Sequence, residues 1–204
     1  MTTSCRYTCS LNNALDPQKG TGAVNSERKA LIFDRDNTLV RDNGYLHKVA
    51  DLEWLPGVIE TLRLGQESGY LLFVVSNQGG IGRGKFSLNS ARKFNLELLK
   101  RLFAEGIAIT EIRFCPHHPA GSVPKYSGEC PQRKPNPGMI NSLVYEWTLD
   151  RAQCALFGDD KTDIAAARSA GISGHRVNSG EIYGIVKDFI ESASSVFNSK
   201  INDN

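Results

Sequence analysis

Three continuous apolar runs in this chain each end in a polar cluster, and that arrangement limits the possible folds more than any other feature. Ala30 to Phe33 run directly into Asp34 and Asp36. The segment "LLFVVSNQGG" ends in Ser76 and Asn77, and "CALFGDD" ends in Asp159 and Asp160. Runs without period-two alternation suit strands buried on both faces. Helix punctuation lies between them. In "LPGVIETLRLGQESGY", Pro56 suits a helix start and Gly69 a stop. "SLNSARKFNLELLKRLFAEG" is amphipathic, with Ser87 as a cap and Gly106 at its end. "EIRFC" reads as a short strand, and "NPGMINSLVYEWTLD" as a helix with Asn136 and Pro137 at its start. "KTDIAAARSAG" is a helix, and "GHRVN" and "EIYGIVKDFIESAS" make a last strand and helix. Strands alternating with helices predict an α/β fold: a three-layer, Rossmann-like sandwich with a central parallel sheet. In such sheets ligands bind at the carboxyl ends of the strands, where these polar clusters fall. The pair Arg133 and Lys134 differs, because it precedes a helix instead of following a strand.

Residues 1–28 are polar and aperiodic, which predicts a flexible arm ahead of a single domain over 29–204. A length of 204 residues suits one such domain. The net charge of +2 offers no broad basic face, so no nucleic-acid partner is expected. No apolar run reaches membrane-spanning length, and the first residues lack the apolar core of a secretory signal. Five cysteines without a dense framework fit a reducing compartment. A cytoplasmic monomer acting on a small molecule is the expectation.

Asp34 and Asp36 are two apart on a chain leaving a strand, and Asp159, Asp160 and Asp163 follow another. Carboxylates gathered in one crevice repel unless a cation neutralises them. Magnesium suits one or two carboxylates with water and phosphate oxygens. A carboxylate can also act as a nucleophile and form an aspartyl-phosphate. That chemistry needs a cation against the transferring phosphoryl group, a second acid for the leaving oxygen, and small polar groups on the phosphate. Asp34, Asp36, Ser76 and Lys134 supply these types.

"DRDNT", "SNQ", Lys134 and "GDDKTD" together resemble the haloacid-dehalogenase-like (HAD) phosphatases. "GYLHK", "SNQGGIGRGKFS", "CPHHPAGSV" and "RKPNPGM" look like the branch holding the heptose bisphosphate and histidinol-phosphate phosphatases. The resemblance runs from about Lys29 through the last strand. It implies a magnesium-dependent sugar-phosphate phosphatase, with a histidinol-phosphate phosphatase or an inactive phosphate-binding module as alternatives. It also implies that Asp34 is the nucleophile. Asp36 would be acid and then base, lending its backbone carbonyl to the magnesium held by Asp34 and Asp159. Thr38 would hold the Asp36 loop. Ser76, Asn77 and Lys134 would bind the phosphate, and Arg133 would orient substrate or Asp36. Insertions at Gly44 to Asp51 and Cys115 to Gln132 would form a small cap. The glycines of "GGIGRG" would either admit a sugar to the backbone or simply make a tight loop.

There are two departures from that branch. Asp160 stands where a lysine that meets substrate is usual, and Lys161 would point about 100° away on a helix. The zinc loop of the branch, C-x-H with C-x-C, is met by Cys115, His117 and Cys130, but Gln132 takes the fourth position. A structural zinc site normally closes with four nitrogen or sulfur ligands. Partial zinc binding and a metal-free loop held by prolines and packing both remain open. His118 is expected to point elsewhere, Cys154 to be a core residue, and Cys5 and Cys9 to be remote candidates for the missing ligand.

Overall fold

The computed structural model describes residues 7–10 and 28–202, except for the side chains of 194–202. Six strands form one sheet: β1 (Tyr7–Cys9), β2 (Arg28–Phe33), β3 (Leu71–Asn77), β4 (Ile109–Cys115), β5 (Leu149–Gly158) and β6 (Ser173–Arg176), in the spatial order β1-β4-β3-β2-β5-β6. The five strands from β2 to β6 pair in parallel. β2 is central, with Ile32 opposite Phe73 on one side and Leu156 on the other. Its side chains alternate between two cores: Leu31 and Phe33 join one, Ala30 and Ile32 the other. Burial on both faces is what removes the alternating polarity from the sequence.

The first core is covered by α1 (Val58–Glu67), α3 (Leu88–Ala104) and α6 (Ile182–Asn202), through Leu62, Phe94, Leu98 and Val186. The second is covered by α4 (Gly138–Trp147) and α5 (Lys161–Ser169), through Met139, Leu143, Trp147 and Ala166. Helix ends follow the expected chemistry. The Ser87 hydroxyl accepts from Ser90 N at 3.0 Å, and Gly69 and Gly106 end their helices at positive φ. α1 starts two residues beyond Pro56, after Gly57.

Two elements depart from the sequence expectation. Tyr7–Cys9 lies within the segment expected to be an arm, yet it pairs antiparallel with β4, Tyr7 opposite Phe114. Apart from residues 7–10 and Arg28, which opens β2, that segment lies outside the described residues. Gly79–Gly82 forms one helical turn, α2, in place of an open loop. A Cβ on Gly82 would meet Tyr126 O at 2.7 Å, and one on Gly80 would meet the Phe86 ring at 2.3 Å. These glycines let α2 pack against the loop after β4, where Val123 N donates to Gly82 O and Gly82 N to Pro116 O.

Candidate active site

Four polar segments converge at the carboxyl ends of β2, β3 and β5, where a parallel sheet presents its crevice. Asp34 follows β2 directly, and its N–H donates to Phe157 O at 2.8 Å. Lys134 arrives from the loop before α4. Its Nζ lies 2.7 Å from Asp34 Oδ1, 2.5 Å from Asp163 Oδ1 and 3.0 Å from Val75 O. All three charged groups are buried. Asn77 fixes the lysine: its Nδ2 donates to Lys134 O and its Oδ1 accepts from Lys134 N. The Asn77 amide therefore positions Lys134, a use that spacing of 57 residues in sequence conceals.

Asp34, Asp159 and Asp163 each bring a carboxylate oxygen within 4.8 Å of the others. One ammonium faces three carboxylates, so the cluster lacks positive charge. Burial, with Asp163 and Asp36 nearby and despite Lys134, pushes the Asp34 carboxyl up to about 7. Burial and Asp163 raise Asp159 as well. Burial alone would lower Lys134, but Asp34 and Asp163 outweigh it and hold the ammonium charged. Hard oxygen donors short of positive charge fit a divalent cation such as magnesium. The sequence offers Asp163 only as extra negative charge, and the ligand set that the resemblance implies does not include it. The signal was the acid at the N3 position of a helix capped by Asp160, in "GDDKTD". Its Oδ2 accepts from Asp160 N at 3.1 Å while Oδ1 meets the lysine.

Asp36 faces a different set of partners. Gln78 Nε2 donates to Asp36 Oδ2 at 2.8 Å and to Ser76 Oγ at 2.8 Å. Arg35 grips the same carboxylate through Nε and a terminal nitrogen, at 2.8 and 3.0 Å. Of the two uses expected for Arg133, orienting substrate or Asp36, no bond to Asp36 is present among the described residues; Arg133 donates to His117 O at 3.0 Å and lines the cavity, where a substrate could meet it. Thr38 is buried, but its hydroxyl makes no hydrogen bond. The Asp36 loop is closed by backbone bonds from Leu39 N and Val40 N to Arg35 O.

A cavity of about 390 Å³ opens beside Asp36, with Tyr45, Gln78, Arg83, His118 and Arg133 in its wall. Arg83 donates to the Tyr45 hydroxyl at 3.1 Å and stands 2.9 Å from His118 Nε2. Burial and the two arginines lower the His118 pKa. His118 thus turns to this cavity, while His117 faces the cysteines, with Nδ1 3.7 Å from Cys115 Sγ. Cys115, His117 and Cys130 bring their donor atoms within 4.8 Å of one another. Cys9 is in the edge strand, paired opposite Ile112 of β4, and Cys154 is buried in β5.

A family model described as HAD-hyrolase-like matches residues 131–184. The chain is 36% identical over 163 residues to a D-glycero-beta-D-manno-heptose-1,7-bisphosphate 7-phosphatase of Rhodopseudomonas palustris, covering 80% of this chain and 91% of that protein. It is 38% identical over 147 residues to a D-glycero-alpha-D-manno-heptose-1,7-bisphosphate 7-phosphatase of Burkholderia mallei, covering 72% and 77%. A crystal structure of a HAD-like phosphatase from Mesorhizobium loti superposes with a TM-score of 0.80 at 25% identity, covering 94% and 96%. The D,D-heptose 1,7-bisphosphate phosphatase of B. bronchiseptica, solved with magnesium and phosphate, superposes at 0.71 with 22% identity, covering 80% and 99%, and shares the fold. The acid-and-lysine cluster, the sheet that carries it and this identity over most of a relative's length agree: the chain belongs to the HAD-like phosphatases, in the branch of the heptose bisphosphate phosphatases.

Proposed function

We propose that the protein hydrolyses a sugar phosphate through an aspartyl-phosphate, removing the 7-phosphate of D-glycero-D-manno-heptose 1,7-bisphosphate. The observation that carries this reading is the division of labour between two aspartates. Asp34 lies against Lys134 inside the acid cluster, and Asp36 is held apart from it by Gln78 and Arg35, at the cavity. In this reading Asp34 attacks phosphorus and the bond to the sugar oxygen breaks. Asp36 gives its proton to that leaving oxygen. Asp36 then takes a proton from water, which attacks phosphorus and releases Asp34 and phosphate. Lys134 and the Ser76 hydroxyl hold phosphoryl oxygens. Asp34, Asp159, Asp163 and the Asp36 backbone carbonyl would hold magnesium, which supplies positive charge against the developing phosphoryl charge.

A cavity this size with Arg83 and Arg133 in its wall suits a small anionic sugar. Asp160 is committed to the α5 cap, accepting from Thr162 N at 2.7 Å, and that bond holds its carboxyl below the usual range. It therefore adds negative charge near the crevice mouth. The cap loop offers zinc three donors, and the fourth position is an amide, so we read any zinc there as weakly held. Five cysteines without a dense framework suit a reducing compartment, and on that ground we place the protein in the cytoplasm.

The test is a steady-state panel with magnesium. It compares both anomers of heptose 1,7-bisphosphate, fructose 1,6-bisphosphate and histidinol phosphate. The reading expects kcat/KM to be highest for a heptose bisphosphate, with phosphate released from C7. Preference for histidinol phosphate would move the substrate assignment, and no turnover of any ester would remove the enzyme reading.

A further inference from the structure

Arg35 is the largest fully buried side chain among the described residues, and the steps above use it only to keep Asp36 apart from the acid cluster. Burying a guanidinium is strongly unfavourable unless its hydrogen bonds are met. An apolar residue of that volume would fill the same space more cheaply, so the partners explain why an arginine is there. Nε and one terminal nitrogen grip both oxygens of Asp36, at 2.8 and 3.0 Å. The same terminal nitrogen donates to Leu46 O at 2.9 Å, and the other donates to Asn95 Oδ1 at 2.9 Å. The guanidinium carbon lies 4.6 Å from the centre of the Phe94 ring. Phe94 and Asn95 belong to α3, the long helix of the first core, and Leu46 lies in the cavity wall. One rigid fork therefore joins a core helix, the wall of the cavity and the carboxylate of Asp36.

We propose that Arg35 is a positioning residue that aims the Asp36 carboxylate at the leaving oxygen of the substrate. A carboxylate on a single Cβ can turn about two torsions, and Lys134 is the competing cation in the same crevice. A bidentate grip on both oxygens, with Gln78 also donating to Oδ2, leaves it one orientation. The bond to Leu46 O sets that orientation relative to the wall the sugar must touch. A point charge could not do this, because lysine has no fork. The proposal rests on the reading of Asp36 as the general acid.

The experiment compares Arg35→Met, Arg35→Lys, Asp36→Asn and the double variant Arg35→Met/Asp36→Asn, with full-length protein. Each is assayed on heptose bisphosphate, a poor leaving group, and on nitrophenyl phosphate, whose leaving group needs little protonation. A lost aim should reduce kcat on the sugar about tenfold more than on nitrophenyl phosphate, a fraction of the 10²- to 10⁴-fold that acid–base catalysis supplies. Arg35→Lys should lie between native and Arg35→Met. In the Asp36→Asn background, Arg35→Met should add no further leaving-group bias. If Asp36→Asn shows no bias, the acid assignment itself fails. If Asp36→Asn shows the bias and a folded Arg35→Met loses both activities equally, only the proposal for Arg35 fails. Should Arg35→Met not fold, Asn95→Ser decides. It removes one acceptor of the fork and should bias the two substrates by about threefold, whereas equal losses would overturn the proposal.

Discussion

At the residue scale, Asp34 combines two properties that separate experiments can read. As the nucleophile it cannot be replaced by an amide, so Asp34→Asn should lower kcat by on the order of 10⁴-fold or more while the fold persists. Turnover near the native rate would remove Asp34 from that role. Its second property is a carboxyl raised to about 7 from an ordinary 3.8 by burial, with Asp163 and Asp36 adding to the effect and Lys134 opposing it. The folded chain binds that proton more tightly than the unfolded chain does. The stability it contributes is full below pH 3.8 and is lost as pH rises through about 7. With a chelator present, the Tm of the native protein should therefore fall relative to Asp34→Asn as pH rises from about 4 to 8. Added magnesium should narrow the gap at the upper end. A difference that stays flat with pH would contradict the buried, cation-poor cluster. Gln132 offers a third experiment. A structural zinc site is worth on the order of 10 kcal/mol in small peptides, and a thiolate at this position would complete the set begun by Cys115, His117 and Cys130. Gln132→Cys should hold zinc more tightly than the native chain, measured as metal per chain before and after chelation. Stoichiometric, chelator-resistant zinc in the native protein would contradict the three-donor reading.

At the scale of elements, two glycines set distances that the site depends on, in ways that kinetics can separate. Gly158 ends β5 where α5 must begin close by, and a Cβ there would lie 2.3 Å from Asp163 Cγ. Asp163 is fully buried, so Gly158→Ala must push its carboxylate off Lys134. A displacement near 1 Å costs up to about 100-fold in rate, so kcat should fall and more magnesium should be needed for half-maximal activity. Gly80 lies in α2, where a Cβ would strike Phe86 and Tyr45 at 2.3 and 2.7 Å. Both are cavity side chains outside the acid cluster, and Phe86 also stacks on His47 at 4.7 Å. Gly80→Ala should therefore raise KM for the sugar and change kcat little. The reverse pattern would place Gly80 in the chemistry instead of the wall. Gly80 and Gly82 thus also have a packing purpose, against Tyr45 and Tyr126 brought in from elsewhere in the chain, whereas Gly84, at positive φ with no clashing neighbour, serves the turn itself.

At the scale of the whole molecule, the sheet carries an edge strand that packs against the loop after β4. Tyr7 of β1 lies 5.8 Å from Phe114 and 6.2 Å from Tyr126, ring centre to ring centre. Tyr7→Ala should lower stability by about 1–3 kcal/mol, seen in denaturant unfolding, and leave kcat near native. A change in kcat with no loss of stability would tie β1 to the site. The strand was hidden in the sequence because three residues in a polar segment have no periodicity to read. The central strands were legible because burial on both faces writes a continuous apolar run, and the parallel sheet then puts each run's polar end at one rim. Asp34, Asp36, Ser76 and Asp159 could be placed at that rim for this reason, and Lys134 is proposed through its resemblance to a known motif. What the sequence determined by itself was this order of layers and the residue types at the rim, since both follow from local hydrophobic pattern. The tertiary structure alone decided the partners. Asp163 joins Lys134 instead of only capping α5, Asn77 holds the lysine backbone, and Arg35 turns from the core to grip Asp36. The first two pairings depend on where the chain returns after a helix, and the third on Asn95 and Leu46, which hold the guanidinium in place; local sequence carries no record of either.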